Sequence, residues 1–347
     1  GSHRPTGAHM PDYANFLSAA REAVVAASGV TRQVQAALDD VRAITKDDRS
    51  PVTVADYAAQ AIVALVLREK LGEFVLVGEE HSEFLRDDDH AAHREAALAA
   101  VREVFPDITA DGMLDAIDLG AADTSHHGFW TLDPVDGTKG FLRGQQYAIS
   151  LGYIEGGVPV VGALACPNLP LDFGRGFDDP DGVGSCYLAI KGDGCAESRA
   201  DSATGDTTMV RRVEPEADAP LSVCASVEQA HTKSSDVDNV MAKVGPPGEP
   251  ARLDSQAKYA VVARGQADAY LRLPTRKGYV ERIWDHAAGA LIATEAGAAV
   301  TDIAGNQLDF GQGRGLEKNR GVICAPPRVH GAIIGALDEL GLSSMGL

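Results

Sequence analysis

The last third of the sequence alternates short apolar runs with longer amphipathic stretches, and this alternation constrains the fold more than any other feature. Strands are predicted at 221–225, 267–273, 300–303 and 321–324, and helices at 255–264, 285–296 and 328–340. Strands that alternate with helices are typical of α/β architecture, in which helices cover a sheet. We therefore predict an α/β unit in this part of the chain.

The earlier part of the chain places its helices first and most of its strands afterwards. Helices are predicted at 11–29, 31–41, 50–71 and 90–104, and strands at 74–77, 130–132, 147–154, 158–165 and 186–190. Ser50 is the expected cap of the third helix and Pro51 its first residue, because proline fits the first turn. Separate runs of helices and strands indicate an α+β unit. We predict a layered fold of two domains, α+β over 10–215 and α/β over 216–347.

The first nine residues resemble a purification tag and cloning remnant, so they are excluded from the fold prediction. Met10 is the expected native start. No secretory signal is visible after it. These features contribute to the expectation of a cytoplasmic protein.

The net charge restricts the partners. The chain carries 50 Asp and Glu against 31 Lys and Arg, a net charge of −19. Nucleic acids and anionic membranes require a basic surface, so neither is an expected partner. The most apolar stretches, such as 61–67, are shorter than the about 20 residues of a membrane span. A small phosphate-bearing substrate would require metal ions or a local group of Lys and Arg.

The cysteines argue against disulfide bonds and zinc. Five are scattered without CxxC spacing: Cys166, Cys186, Cys195, Cys224 and Cys324. An odd number with no regular spacing favours neither a disulfide framework nor a zinc ribbon. A reducing compartment fits this pattern.

Acidic residues follow predicted strands or begin a predicted helix at three places. The segments are GEE at 78–80, DPVDGT at 133–138 and WDHAAG at 284–289. Each one alone has a simpler explanation, since a carboxylate after a strand is often a turn residue and Asp285 could cap its helix. Together they supply the oxygen ligands that hard divalent ions prefer.

The second acidic segment is the most informative. Asp133 and Asp136 flank a turn stiffened by proline, so both carboxylates and the Val135 carbonyl can converge on one point. Gly137 permits a tight turn and leaves backbone N–H groups open to an anion. This arrangement is expected of metal-assisted phosphate chemistry.

The motifs resemble a known family. VGEEH, LDPVDGTKGFLRG and WDHAAGALIATEAGAAVTD are similar to segments of the inositol monophosphatase superfamily, Mg²⁺-dependent and lithium-sensitive phosphatases. DGTKGFLRG and SPVTVADYAAQ resemble its 3'(2'),5'-bisphosphate nucleotidase branch. The resemblance runs from about Asp12 to Ile334 with the motifs in the expected order. It implies a layered α/β and α+β fold with the active site in the cleft between two domains.

The resemblance also implies a metal site for two or three Mg²⁺ ions. Its ligands would be the carboxylates of Glu79, Asp133, Asp136 and Asp285 and the carbonyl of Val135. Asp285 would hold the second ion, and Glu80 would orient a metal-bound water.

Asp56 and Thr138 would position and activate the attacking water, because a threonine hydroxyl can relay a proton to a carboxylate. The alternatives are a first-turn acid favoured by the helix dipole for Asp56 and a simple turn residue for Thr138.

The substrate contacts implied by the resemblance come mainly from the second half of the chain. They are Gly137, Thr138, His231, Ser255, Lys258 and Arg272. Ser255 could cap a helix and bind a phosphate at once, and Lys258 and Arg272 would face a second phosphate. The alternatives are that Ser255 only caps a helix, that Lys258 is solvated and that Arg272 lies on an edge strand.

Three other groups are left outside the predicted site. Lys139 and Arg143 either meet phosphate or stabilise the acidic loop. His90, His126 and His127 show no zinc spacing. Gly311-x-Gly313-x-Gly315 resembles a nucleotide loop only in its spacing, because it does not join a strand to a helix in a βαβ unit.

The activity implied is hydrolysis of the 3'-phosphate of adenosine 3',5'-bisphosphate to AMP and phosphate, without a phosphoenzyme. 3'-Phosphoadenosine 5'-phosphosulfate is an expected second substrate, which would connect the enzyme to sulfur metabolism. An inositol mono- or polyphosphate 1-phosphatase and a catalytically silent nucleotide-binding sensor are the alternatives. The oligomeric state is open, with a monomer compatible with the sequence.

Overall fold

The computed structural model describes residues 11–228 and 236–347. The helices are α1 (Tyr13–Ala36), α2 (Leu38–Thr45), α3 (Ser50–Leu71), α4 (Glu83–Arg86), α5 (Ala91–Arg102), α6 (Ala110–Asp118), α7 (Thr138–Leu142), α8 (Asp236–Val244), α9 (Ala257–Ala263), α10 (Ala287–Ala296) and α11 (Pro327–Glu339). The strands are β1 (Leu76–Gly78), β2 (Gly128–Asp136), β3 (Ala148–Glu155), β4 (Val158–Cys166), β5 (Ser185–Ile190), β6 (Cys195–Arg199), β7 (Thr208–Val210), β8 (Cys224–Ala225), β9 (Ala251–Arg252), β10 (Tyr270–Arg272), β11 (Ala299–Thr301) and β12 (Val322–Ala325).

The first seven strands form one mixed sheet in chain order. β1 and β2 run parallel, and every later neighbour in this sheet is antiparallel. A second sheet has the order β10-β12-β11 and is antiparallel, and β8 pairs with β9 in parallel. The predicted combination of helices with sheets is confirmed, whereas the division of the chain near residue 215 stays a prediction.

Alternate residues of each sheet face different helices, and this builds the layers. In β4, Val161 and Ala163 belong to the core shared with α1 and α3, whereas Leu164 belongs to the core shared with α9 and α10. In β12, Cys324 faces α9 and α10, and Ile323 faces α8 and α11. Because side chains alternate along a strand, each sheet lies between two helical layers.

α1 continues through Gly29, where the sequence predicts a break. The helix runs to Ala36, and Val30 and Val34 stay buried on the side that packs against α3. A glycine within a helix costs about 1 kcal/mol, which burial of two valines offsets. The predicted second helix is therefore partly an extension of the first.

α3 begins and ends where predicted, but Ser50 does not cap it. Arg49 occupies the cap position, and Pro51 lies in the first turn. The Ser50 hydroxyl instead shares a 2.8 Å hydrogen bond with Nε2 of His93, and both residues are buried. Gly72 ends the helix with a φ of +76°.

α3 also changes the expectation about apolar stretches. Its 22 residues are long and apolar enough to cross a membrane by length and composition, with a mean hydropathy of 1.5 over the best window. That window is 89% buried against other parts of the chain. The burial is the pattern of a core helix, which accounts for the apolar sequence without a lipid environment.

α10 lies close to the seven-stranded sheet because two glycines face it. A Cβ on Gly152 would lie 3.2 Å from the Cβ of Ala287, and one on Gly162 would lie 3.3 Å from the Cα of Ala288. Only a strand position without a side chain allows this approach. The start of α10 is therefore fixed against the middle of the sheet.

Candidate active site

Glu79 and Asp133 lie side by side because the strands before them run parallel. Gly78 of β1 is aligned with Leu132 of β2. The next residues along the two strands, Glu79 and Asp133, therefore lie at the same edge of the sheet. This edge, formed by two carboxyl ends of parallel strands, is a common location of ligand sites.

An irregularity in the sheet brings Asp136 to the same place. Asp133 is aligned with Ser150 and the next aligned pair is Asp136 with Ala148, so β2 has one residue more than β3 in this interval. Such a bulge redirects side chains. Gly137 follows with a φ of +88° and leads into α7.

Asp285 reaches this edge from the second half of the chain. It ends the 3₁₀ turn Ile283–Asp285, just before α10. One carboxylate oxygen from each of Asp133, Asp136 and Asp285 lies within 4.8 Å of the other two. The structure thus brings these three predicted ligands together, and Val135 lies buried in β2 between two of them.

Asp56 faces the same group from α3. Burial raises the pKa of Asp56 well above its usual range, and the charges of Glu80, Glu79 and Asp136 act in the same direction. α7, which begins with Thr138, packs against α3. Thr138 and Asp56 share no hydrogen bond in the part of the chain that the structure describes.

Burial and mutual repulsion raise the pKa values of the acids in this cluster. Burial raises the pKa of Glu79 to about 7, against a hydrogen bond with Asp133 that lowers it. Burial also raises the pKa of Asp136 to about 6, with the charge of Asp285 acting in the same direction. The pKa of Asp133 rises well above its usual range because of burial and then the charge of Asp136.

The donor set fits a hard divalent cation. Oδ1 of Asp56 and Oδ1 of Asp133 are both buried with no hydrogen-bond partner among the residues described. A buried polar atom without a partner costs about 1–3 kcal/mol. A cation with oxygen ligands would satisfy such atoms and remove the repulsion between carboxylates. The acidic cluster can therefore bind a metal ion.

Gln60 positions the segment after β1, and the sequence analysis missed it. Its side-chain amide donates to the carbonyl of Glu80 at 2.7 Å, and its Oε1 accepts the Glu80 N–H at 3.1 Å. A Cβ on Gly78 would lie 2.6 Å from that Oε1. Gln60 stands four residues after Asp56, on the same face of α3, and this spacing is the available sequence signal.

A cavity of about 1460 Å³ opens beside the acidic cluster. Asp136, Gly137, Ser255, Lys258, Arg272 and Asp285 all line it. The structure therefore places these predicted substrate residues and metal ligands on one cavity. His231, which the resemblance also implies, lies outside the described residues.

Ser255 is held in an unusual backbone conformation next to the Gly137 turn. Its φ is +81°, which costs a non-glycine residue about 1–3 kcal/mol. A Cβ on Gly137 would lie 2.8 Å from the Cβ of Ser255. α9 begins two residues later than Ser255, whose Oγ accepts the N–H of Ala257 at 3.1 Å. Ser255, which was predicted to cap the helix, thus lies before it and bonds the N–H of its first residue.

Arg272 and Lys258 have different surroundings. Arg272 donates through Nε to Oε1 of Glu281 at 2.9 Å, and the other oxygen of Glu281 is 3.0 Å from Nε2 of His286. Lys258 has its Nζ 5.5 Å from the centre of the Tyr270 ring, and burial lowers its pKa. Lys258 is thus not a fully solvated lysine, and Arg272 lies on the edge strand β10 with its side chain 38% exposed.

Glu281 stays charged in this network. Burial raises its pKa, but the hydrogen bond and charge of His286, followed by those of Arg272, outweigh burial and hold the pKa at about 2. Tyr259 completes the chain of contacts, with its hydroxyl 2.6 Å from Nδ1 of His286. The sequence analysis missed Glu281, although it lies four residues before Asp285.

Lys139 and Arg143 pair with acids, as one of the two alternatives expects, and Lys139 also lines the cavity. Lys139 forms a 2.7 Å ion pair with Glu228, and Arg143 pairs with Glu228 at 3.5 Å. Arg143 also pairs with Asp254, the residue before Ser255. These pairs join α7 to two segments of the second half of the chain.

The glycine-spaced segment places Arg314 beside the acidic cluster. Its guanidinium donates to the carbonyl of Gly78 at 3.1 Å and stacks over Trp284, with 5.3 Å to the ring centre. Those two residues precede Glu79 and Asp285. Arg314 therefore connects the two segments that carry these acids, a role that the spacing of glycines did not reveal.

Comparison with known proteins agrees with this geometry. Residues 14–342 match the inositol monophosphatase family. A Schizosaccharomyces pombe protein named 3'(2'),5'-bisphosphate nucleotidase is 39% identical over 331 residues, covering 92% of this chain and 93% of that protein. A protein of the same name from Emericella nidulans is 40% identical over 323 residues, covering 86% and 90%.

Solved structures share the fold at lower sequence identity. Mycobacterium tuberculosis SuhB has a TM-score of 0.59 and 22% identity, covering 96% of this chain and all of its own. CysQ from Bacteroides thetaiotaomicron, described as a bacterial member of the inositol monophosphatase family, has a TM-score of 0.56 and 19% identity, covering 91% and 98%. At these identities the comparison supports the fold alone.

Proposed function

The chain belongs to the inositol monophosphatase family, and from this we propose that it hydrolyses the 3'-phosphate of adenosine 3',5'-bisphosphate, yielding AMP and phosphate. One observation carries the proposal. Lys258 and Arg272 line the same cavity as Asp136 and Asp285. A second phosphate on the substrate would find two cations in the cavity that also contains two acids of the cluster. The names of the similar fungal proteins favour the same substrate.

Mg²⁺ is the proposed metal, in two or three ions. Glu79, Asp133, Asp136 and Asp285 would hold it through carboxylates, with the carbonyl of Val135. When bound, Mg²⁺ stabilises negative charge on phosphate oxygens and lowers the pKa of water. The chain's carboxylates then remain ionised at neutral pH, because a nearby cation lowers the pKa values that burial raises.

Asp56 and Thr138 are the residues proposed to handle the proton. The attacking water would donate to the Thr138 hydroxyl, which would donate to Oδ1 of Asp56, an oxygen with no other partner among the described residues. The water oxygen bonds to phosphorus while the bond from phosphorus to the 3'-oxygen breaks. The 3'-oxygen leaves with a proton from solvent, and no bond forms between the enzyme and phosphate.

The substrate would be oriented from two sides. The N–H groups after Gly137, together with Thr138 and Ser255, face the phosphate that leaves. Lys258 and Arg272 face the phosphate at the 5' position, and Glu281 fixes the direction of the Arg272 guanidinium through its 2.9 Å contact. A bidentate arginine held in this way favours a phosphate of fixed position. His231 is proposed as a further contact on the basis of the resemblance.

3'-Phosphoadenosine 5'-phosphosulfate is proposed as a second substrate, because it differs only by a sulfate on the far phosphate. Hydrolysis of adenosine 3',5'-bisphosphate would remove a by-product of sulfate assimilation in the cytoplasm. Inositol mono- or polyphosphate 1-phosphatase activity is the alternative that uses the same acidic cluster. The two cations of the cavity, Lys258 and Arg272, favour the nucleotide, since an inositol monophosphate has no second phosphate to meet them.

Phosphate release at fixed Mg²⁺ tests the proposal. We would measure it from adenosine 3',5'-bisphosphate and from inositol 1-phosphate, each with and without Li⁺. The proposal expects a preference for the nucleotide that falls when Lys258 or Arg272 becomes glutamine, and inhibition by Li⁺. Full turnover by Asp136→Ala would refute the metal assignment, and nucleotide binding without any turnover would favour the silent sensor.

A further inference from the structure

A cationic loop leaves the substrate cavity between Arg272 and Asp285. Arg276, Lys277 and Arg282 line a second cavity of about 430 Å³. Arg276 and Tyr279 line both this cavity and the larger one. The second cavity is therefore an extension of the substrate cavity at its mouth.

The three cations have no anionic partner among the residues that the structure describes. Arg276, Lys277 and Arg282 are all exposed, and within residues 11–228 and 236–347 none of them forms an ion pair. The Arg276 guanidinium lies over the Tyr279 ring, 5.2 Å from its centre. In a chain with 19 more acids than Lys and Arg, three unpaired cations within seven residues are unusual. Their mutual repulsion favours a bound anion.

The backbone of this loop is anchored, so its cations have defined positions. Gly278 donates its N–H to the carbonyl of Gly346 at 2.8 Å. Arg282 forms an isolated antiparallel bridge with Gly315. The loop is thus tied to two other segments on either side of its three cations. An anchored loop loses less conformational entropy when it binds a ligand.

The two cavities set the direction of the ligand. Arg272, which is proposed to meet the 5'-phosphate, lines the larger cavity together with Asp136 and Asp285, whereas Arg276 lines both cavities. A ligand group beyond that phosphate would pass Arg272 and reach Arg276 at the mouth of the cavity. One acid, Glu317, also lines the second cavity, so three cations face one carboxylate.

We propose that Arg276, Lys277 and Arg282 form an anion subsite for substrates whose 5' position carries a diphosphate or a longer phosphate chain. This inference rests on the proposed function and names a wider substrate class for the same site. The reaction is unchanged, because water attacks the 3'-phosphorus and the bond to the 3'-oxygen breaks. The 5' chain is bound and stays intact.

The test compares two nucleotides that differ by one phosphate. The probes are adenosine 3',5'-bisphosphate and adenosine 3'-phosphate 5'-diphosphate, and the readout is the ratio of their kcat/KM values. Arg276→Gln, Lys277→Gln and Arg282→Gln are combined in one variant. Arg68→Gln, Lys191→Gln and Arg211→Gln form the matched control. These three residues are also exposed and lie outside both cavities, and their substitution removes the same amount of charge.

The ratio of diphosphate to monophosphate kcat/KM is expected to fall about tenfold in the loop variant and to stay within about twofold in the control, because exposed charges contribute modestly one by one. Raising NaCl from about 50 to 300 mM should lower the ratio in the wild type and not in the loop variant. An equal fall in both variants, or no fall in either, would overturn the subsite. Wild-type protein that turns over neither nucleotide would instead refute the proposed function on which the subsite rests.

Discussion

The backbone N–H of Gln256 donates to Oδ2 of Asp136 at 2.6 Å. The same residue donates its side-chain amide to the carbonyl of Trp284 at 3.0 Å, next to Asp285. Its Oε1 accepts the Ser150 hydroxyl at 2.8 Å. One buried glutamine thus connects an acid of the first half of the chain to the segment that carries the acid of the second half.

Gln256→Leu should weaken metal binding. Leucine has a similar volume but leaves the Trp284 carbonyl and the Ser150 hydroxyl without this partner. Residues that orient metal ligands typically change metal affinity by about 10- to 100-fold, and we expect the Mg²⁺ concentration for half-maximal phosphate release to rise by that factor. Ser150→Ala removes only one of the contacts and should have a smaller effect. An unchanged Mg²⁺ dependence in Gln256→Leu would contradict this role.

Gly137→Ala should lower activity far more than Gly144→Ala. Both glycines have positive φ angles, +88° and +73°, so both substitutions strain the backbone. A Cβ at Gly137 would meet Ser255 at 2.8 Å, whereas one at Gly144 has nothing within 4 Å. Displacement of the neighbouring Asp136 should reduce kcat/KM by about 100-fold. Steady-state kinetics of both variants separates the effect of the contact with Ser255 from the effect of backbone strain. Equal decreases in kcat/KM would contradict the prediction.

Glu281→Gln should destabilise the protein in a way that depends on pH. The folded pKa of Glu281 is about 2, below its ordinary value of 4.5. A depressed carboxyl pKa contributes stability above about pH 4.5 and loses it as the pH falls toward 2. We expect the free energy of unfolding to fall by about 2 kcal/mol at pH 7. This value is smaller than the full pKa shift implies, because solvent screens the interaction with the partly exposed Arg272.

Urea unfolding at pH 7, 4 and 3 measures this difference. The difference in free energy of unfolding between the wild type and Glu281→Gln should be constant near neutral pH and become smaller in acid. A gap that stays the same at all three pH values would show that the variant loses packing and not an ionic contact.

Asp133→Asn should stabilise the metal-free protein. The substitution removes one charge from a buried group of acids whose repulsion raises several pKa values. In a metal chelator, the Tm should rise by about 2–4 °C, which corresponds to roughly 1 kcal/mol. Mg²⁺ should raise the Tm of the wild type and have little effect on the variant. Asp40→Asn, at an exposed site, serves as the control. It should change neither the Tm in chelator nor the increase in Tm that Mg²⁺ causes.

The sequence predicts the local parts of the site well. Glu79 and Asp133 follow apolar runs, and the parallel pairing of those runs is enough to bring the two acids to one edge. Asp285 precedes a helix whose apolar pattern is plain in the sequence. Pattern and spacing carry this information because strand ends and helix starts depend on neighbouring residues.

The supporting contacts depend on tertiary register and leave little trace in the sequence. Gln60, Gln256 and Arg314 each connect segments far apart in the chain, through 2.7–3.1 Å contacts with backbone carbonyls. A carbonyl is present at every residue, so no residue type marks the partner. Ser50 was expected to cap α3, but its hydroxyl instead bonds the side chain of His93, which lies 43 residues away and is brought close only by the tertiary fold.

The glycines that allow α10 to pack closely on the sheet affect which substitutions the active site can tolerate. Asp285 is fixed to the sheet of the first half of the chain through the start of α10, which faces Gly152 and Gly162. The cavity wall that includes Lys258, Arg272 and Arg276 is built by other segments of the second half. Arg272 is linked to the start of α10 through Glu281 and His286, whereas Arg276 is exposed. Substitutions at Arg276 can therefore change which substrates bind without moving Asp285.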